Sequence, residues 1–266
     1  MMNQLKAELS FLRALMSVNL ASAMEYRVSF ISQVVGMLVN NGIYFVFWVI
    51  FFNQFGTVRG YNMDEIFLLF AIVTLGYGLG FMFAGNTRQY MAYLIAQGRL
   101  DYYLVFPRNL LLHVVCSKMT VSTVGDVVFG LIAYSFTGRF ALVEIGLFLA
   151  TAVLAAIIFV GYSVITGSLA FYMGNAQYAS QQMTNAMLTF SLYPNTLFSG
   201  AARVMLYTVI PAAFVGAVPV DIVRFHDGRL LLLLVAAAII IWLIAIFMFY
   251  YGLRRYESGS AINVNV

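Results

Sequence analysis

TRQYMAYLIAQGRLDYYLVFPRN, residues 87–109, is the one long break in a chain otherwise made of apolar runs. It places Arg88, Arg99, Asp101 and Arg108 between two hydrophobic stretches, so it belongs at a membrane surface and not inside the bilayer. Met91, Leu94 and Ile95 recur at helical spacing beside Arg88 and Gln89, which predicts an amphipathic surface helix. Gly98 then breaks that helix and Pro107 disfavours a helical conformation at Phe106, so 98–108 reads as a short, bent, exposed piece. Everything on either side of it has to be explained as membrane.

Composition agrees. Only 9% of the 266 residues are charged, 63% are hydrophobic and the mean hydropathy is +0.92, whereas a soluble surface needs roughly a quarter of its residues charged. The fold class expected is therefore an all-α integral membrane protein. At about 20 apolar residues per span there is room for about six transmembrane helices and none for a soluble catalytic domain. A single transmembrane domain over 1–266 is expected: an interfacial helix in 1–27, a membrane part in 28–252 and a cytoplasmic tail in 253–266. The net charge of +4 carries no nucleic-acid reading in such a chain, because Lys and Arg are to be judged loop by loop.

Taken in order, Leu5, Leu9, Leu12, Met16 and Leu20 lie at helical spacing with Lys6, Glu8 and Arg13 elsewhere on the wheel, which suits an amphipathic helix in the interface plane. A cleaved signal reading, with Ala21-Ser22-Ala23 as its site, is weakened by Ser17 and Asn19 in a short apolar part. The first span, Val28 to Phe52, carries Gln33, Asn40 and Asn41, amides that face other helices or a cavity, and Trp48 fits the far interface. The second, Ile66 to Asn86, carries Gly76, Gly80 and Ala84, a row for close helix packing or for a glycine-lined path. The third, Leu110 to Phe136, contains Lys118 and Asp126, about 12 Å apart along a helix and so unable to pair with each other. An ionised carboxylate near mid-depth costs about 2.5 to 3.5 kcal/mol, so Asp126 needs a partner on another helix, a water-filled cavity or a proton. It either pairs structurally or acts in transport. The fourth span is Glu144 to Tyr172.

Residues 183–229 hold one apolar helix interrupted at Pro194 and a second apolar run, Val204 to Val220, with Pro211 and Pro219. If both cross there are seven spans; if the second is re-entrant from the outer side there are six and both termini are cytoplasmic. With six, Lys6, Arg13, Arg27, Arg88, Arg99, Arg108, Arg254 and Arg255 lie inside against Arg59, Arg139, Arg203, Arg224 and Arg229 outside, eight against five. With seven the count is six against seven, so the positive-inside bias favours six. The last span is Leu230 to Tyr251.

Several chemistries are missing from the sequence. No G-x-x-x-x-G-K-[ST] occurs and neither Lys6 nor Lys118 follows a glycine, so the chain has no loop of that kind for ATP. His113 and His226 fall on opposite sides in the six-span topology, Cys116 is the only cysteine, and no nucleophile and base are nominated. The chain is expected not to be an enzyme by itself, with no metal and no cofactor of its own.

Four pieces, IAQGRLDYYLVFPRN (95–109), SLYPNTLFSG (191–200), VIPAAFVGAVPVDIV (209–223) and YYGLRRYESGS (250–260), occur in an order that resembles the permease subunits of bacterial type-2 ATP-binding-cassette (ABC) transporters, the six-span group without a fused ATPase. The resemblance implies a dimer of permeases, identical or paired with a sister subunit, in the bacterial cytoplasmic (inner) membrane. It would work with two copies of a separate ATPase that holds ATP and Mg, usually as an exporter. It also implies that the segment between the second and third spans is a cytoplasmic coupling helix, with Gln97, Gly98, Arg99, Leu100 and Asp101 as its ATPase contacts. The N-terminal helix would be an elbow, and 201–223 outer re-entrant helices. Candidate path residues are Gln33, Asn40, Asn41, Asp126, Thr184 and Asn185, mixed polar groups that either line a cavity or bond to each other. A proton- or ion-coupled carrier or channel using Asp126 is the alternative. The substrate is not legible.

Overall fold

The computed structural model describes residues 2–57 and 60–258. Arg59 and the tail from Gly259 onward lie outside the described residues, as do the side chains of Leu5 and Gln89. The chain is all helix: α1 (Met2–Glu25), α2 (Arg27–Phe55), α3 (Met63–Gln89), α4 (Met91–Ala96), α5 (Asp101–Leu104), α6 (Leu110–Cys116), α7 (Thr123–Ser135), α8 (Leu142–Ser168), α9 (Ala170–Met173), α10 (Gln177–Ser191), α11 (Gly200–Met205), α12 (Ala217–Phe225) and α13 (Gly228–Leu253). Short 3₁₀ turns at Asn195–Leu197 and Ala212–Phe214 join α10 to α12. Among the described residues α2, the α3–α4 run, the α8–α9 run and α13 are long and apolar enough to cross a membrane.

Helix α3 is the centre, packed chiefly between α7 and α8. Its small residues explain why. A Cβ on Gly76 would meet the Ala155 Cβ at 2.8 Å, and one on Gly80 the Ala156 carbonyl oxygen at 3.1 Å, so that face admits the α8 backbone. Gly78 does the same for α7, where a Cβ would come within 2.8 Å of the Val127 backbone nitrogen, and Gly130 of α7 returns the contact against Leu75. In lipid, where neighbouring acyl chains are as apolar as leucine, such close van der Waals packing is what holds helices together. The Gly76/Gly80 row is thus a packing row with no room for a path.

The expected third span is not one helix. It is α6 and α7 separated by Ser117–Ser122. The break is tolerated because protein covers it: the Thr120 N–H donates to the Phe81 carbonyl at 3.3 Å, and the absent side chain of Gly85 lets Thr120 approach. Lys118 lies in the break with its ammonium 3.7 Å from the Tyr90 ring centroid, a cation–π contact. The expected fifth span also departs from a plain apolar helix, since α10 has 15 residues, about 22 Å, and carries Gln177, Gln181, Gln182 and Asn185. Between it and α13 the helices have six and nine residues, too short to cross about 30 Å of hydrocarbon. The second apolar run therefore holds no single helix long enough to cross.

Two hydrophobic clusters follow from this. One gathers α3, α7, α8, α10 and α12 around Phe70, Tyr77, Phe81 and Phe159. The other, at the α4–α6 end, gathers Met91, Leu100, Val114 and Phe249. At the far end the Arg224 Nε contacts the Glu65 carboxylate at 2.8 Å, and the Glu65 Oε2 accepts the Asn62 N–H at 2.6 Å, so α12 is pinned to the start of α3. Tyr61 is buried beside this pair; burial first, and then the Asp221 carboxylate, push its hydroxyl above the usual tyrosine range.

Helix α1 meets the bundle through one of its faces. Leu12 and Met16 are half-buried, whereas Leu9 and Leu20 are 59% and 43% exposed. The contacting stripe is Glu8, Phe11, Leu12, Leu15 and Asn19, set by polar anchors that a hydrophobic wheel leaves out. Asn19 donates to the Cys116 carbonyl at 3.0 Å, Glu8 lies 3.8 Å from Arg108, and Phe11 meets His113 edge-on.

Candidate functional site

The Ser117–Ser122 break has a consequence in α7. It starts a new helix at Thr123, so Asp126 sits in a first turn, where unpaired backbone N–H groups favour negative charge. Asp126 is 2% exposed. Its Oδ1 accepts from the Asn41 side-chain amide of α2 at 2.7 Å, a bond that links α2 to the bundle. Its Oδ2 is buried with no hydrogen-bond partner among the described residues. No described cation lies within ion-pairing distance of it.

Asp126 lines a cavity of about 490 Å³ between α2 and α10, floored by α3. The polar lining is Asn40, Asn41, Thr74 and Thr189 besides the carboxylate, and the aromatic lining is Tyr44, Phe47, Trp48, Phe70, Tyr77 and Tyr193. Its size is that of a pocket for a small organic molecule. Trp48, expected at a lipid interface, is 6% exposed and stacks among Phe51, Phe52 and Tyr193. The reason is tertiary: Tyr193, just past the end of α10, packs against it with ring centroids 5.8 Å apart.

Three of the six expected path residues, Asn40, Asn41 and Asp126, meet in this cavity. The other three are elsewhere. Gln33 is exposed and bonds within its own helix to Ser29 at 3.1 Å. Thr184 is fully buried in a hydroxyl cluster with Ser180 and Thr166 that joins α10 to α8, with Thr166 at 3.4 Å and Ser180 bonded to Thr166 at 3.1 Å. Asn185 is half-buried outside the cavity lining. Phe70, Thr74 and Tyr77 were not nominated by the sequence. Their i, i+4, i+7 spacing around a lone threonine is the signal that points to one face of α3.

The interfacial segment has its own geometry. Gln97 ends α4, and Gly98 takes φ +62°, the left-handed region that glycine adopts without strain. Arg99 is exposed, its guanidinium 5.4 Å from the Tyr93 ring centroid. Leu100 is fully buried and Gly98 is buried with it. Asp101 faces the tail, accepting from the Tyr256 hydroxyl at 3.1 Å and from the Ser258 hydroxyl at 2.5 Å. Burial and then the adjacent Asp101 carboxylate push the Tyr256 hydroxyl up to about 12. The side chains that this segment turns outward are Gln97, Arg99, Tyr102, Leu104, Val105 and Phe106.

Residues 38–260, well over half of the chain, match the family described as ABC-2 family transporter protein. No curated protein and no solved structure matches the chain. The matched range takes in all of the cavity lining but Met37, the broken α6–α7 pair and the segment that ends at α6. The chain belongs to the ABC-2 transporter family, as a membrane component of an ABC transporter, a family that implies an ABC ATPase as partner.

Proposed function

We propose that the chain is the permease of an ATP-driven exporter in the bacterial cytoplasmic membrane, working as a pair of permeases, identical or with a sister subunit, on two copies of a separate ATPase that holds ATP and Mg. It crosses six times, as α2, α3, α6–α7, α8, α10 and α13, with both termini inside. The cavity at Asp126 is part of the translocation path.

The observation that carries this reading is the 97–106 segment. It sets exposed Tyr102 and Val105, 64% and 76% accessible, beside Gln97 and Arg99, and an apolar centre with a polar rim is how protein interfaces are composed. The same segment is anchored inward by Leu100 and Tyr103 and tied to the end of α13 through Asp101 and Tyr256. ATP hydrolysis biases a permease only through contacts that differ between two states. A platform fixed to α4, α6 and α13 transmits such a difference to the helices around the cavity. Gln97 and Arg99 are the direct contacts; Gly98, Leu100 and Asp101 hold the segment in shape.

The test is purification of the tagged chain from its own cells in mild detergent, with mass spectrometry of every co-eluting subunit. The expected result is a stoichiometric ATPase carrying G-x-x-x-x-G-K-[ST], lost when Arg99→Ala is combined with Val105→Asp while membrane insertion is unchanged. A chain that elutes without a nucleotide-binding partner, under conditions that preserve other complexes, would overturn the reading.

A further inference from the structure

The cavity beside Asp126 joins three features that specify a ligand chemistry. The first is a carboxylate 2% exposed in the cavity wall, with one oxygen bonded to Asn41 and the other buried without a hydrogen-bond partner among the described residues. The second is the lack of a countercharge within the lining, whose other polar groups, two side-chain amides, threonine hydroxyls and tyrosine hydroxyls, are all neutral; Arg88, whose charge reaches the carboxylate, lies outside the lining with its guanidinium 5.5 Å from the Tyr77 ring centroid. The third is the ring of aromatic side chains: Tyr44, Phe47, Trp48 and Tyr193 line the space between α2 and α10, and Phe70 and Tyr77 line its floor.

Each feature excludes a class. A buried carboxylate repels an anionic head and favours a cationic head over a neutral one. An unpartnered acceptor oxygen asks for a donor, and a charged N–H donor forms the stronger bond to it. Aromatic faces attract cations, most strongly where water is excluded. A volume of about 490 Å³ holds a small amphiphile. The geometry points to the cavity as a binding site for an amphiphile bearing a protonated amine, its charged head drawn to the Asp126 carboxylate and its apolar body packed on the rings. This rests on the reading of the cavity as part of the path, and names the chemistry of what that path admits. Asn41 is the positioning residue: its bond to Oδ1 holds the carboxylate in the cavity wall.

The probe is dansylcadaverine, a primary amine on an aromatic fluorophore, set against its neutral hydroxyl counterpart, N-(5-hydroxypentyl)dansylamide. Trp48 lines the cavity and the chain has only two tryptophans, so the Trp242→Phe chain reports occupancy by energy transfer from Trp48 to the dansyl group. The full chain is placed in nanodiscs of zwitterionic lipid, and empty discs give the partition background. The expected result is saturable binding of the amine at least about 10-fold tighter than of the alcohol, with Asp126→Asn weakening the amine about 30-fold or more and leaving the alcohol unchanged. Asn40→Lys at the exposed rim keeps the carboxylate, and by charge repulsion weakens the amine alone.

Equal affinities for amine and alcohol in the native chain overturn the proposal. So does a preference for the amine that survives Asp126→Asn in material eluting as the native chain does. If Asp126→Asn does not fold, the native preference and its response to Asn40→Lys decide. Binding is measured on the chain without an ATPase. A negative result therefore leaves the permease reading standing, and a failed search for an ATPase leaves the binding result standing.

Discussion

Helices α2 and α3 look alike in sequence and behave oppositely in the fold. Their best 18-residue windows have mean hydropathies of 1.9 and 2.2, yet 11% of the window is buried for α2 and 83% for the run that begins with α3. The difference lies in the glycines. A Cβ on Gly76, Gly78, Gly80 or Gly85 would strike a neighbour at 3.1 Å or less, whereas Gly36 and Gly42 of α2 have nothing within 4 Å. Hydropathy says that a helix crosses lipid, and only small-residue spacing on a given face says which helix it will touch. Helix α2 is held by fewer and more polar means, among them the Asn41–Asp126 bond and the close approach of Gly125 to Val34 and Met37. A helix attached in this way can border a cavity.

Five substitutions sharpen or break that contrast. Gly78→Leu forces a side chain into the α7 backbone and should destabilise by about 3 kcal/mol or more, while Gly36→Leu should stay within about 0.5 kcal/mol. Unfolding in a fixed detergent measures both, and equal effects would end the distinction between the two helices. Asn41→Leu removes the donor to a buried carboxylate and is expected to cost about 2 kcal/mol; the same unfolding assay reads it, together with faster labelling of a cysteine placed at Trp48.

Tyr256→Phe should cost about 1 kcal/mol or less and free the tail, seen as lower anisotropy of a C-terminal fluorescent label. Here pH does the same. Because the folded Tyr256 hydroxyl titrates near 12 and the unfolded one near 10.0, its contribution is complete below pH 10 and fades as pH rises toward 12. The native label should therefore loosen across that interval and the Tyr256→Phe label should not change there. Thr184→Val, which breaks one hydroxyl contact between α10 and α8, should cost about 0.6 kcal/mol. A loss above about 2 kcal/mol would mean that this cluster, and not apolar packing, secures α10.

Much of the fold was legible. The boundaries of α2, α3, α8 and α13 follow the apolar runs closely, because a run of about 20 apolar residues has no good alternative to a membrane helix. Gly98 and Pro107 marked the bend between α4 and α6, and Pro194, Pro211 and Pro219 marked the region without a long helix. The break between α6 and α7 was not legible. Ser117–Ser122 contains no proline or glycine, and what permits the break is Gly85 on another helix. The cavity was half legible. Asn40, Asn41 and Asp126 are polar where polarity is costly, but Gln33 and Thr184 are polar too, and nothing local separates a lining residue from one that bonds to its own or a neighbouring helix.

By itself the sequence determined that the chain is an all-helical membrane protein, where its long helices begin and end, and which family it resembles, since these depend on how residues partition between water and lipid and on local backbone preference. Only the tertiary structure decided which polar residues share the cavity, that α7 begins anew beside Asp126, and that Asp101 is engaged by the tail. Those depend on which faces meet, and in a bilayer, where every outward surface is apolar, the pattern of hydrophobicity does not encode that choice. Steric fit between small residues and paired hydrogen bonds decide it.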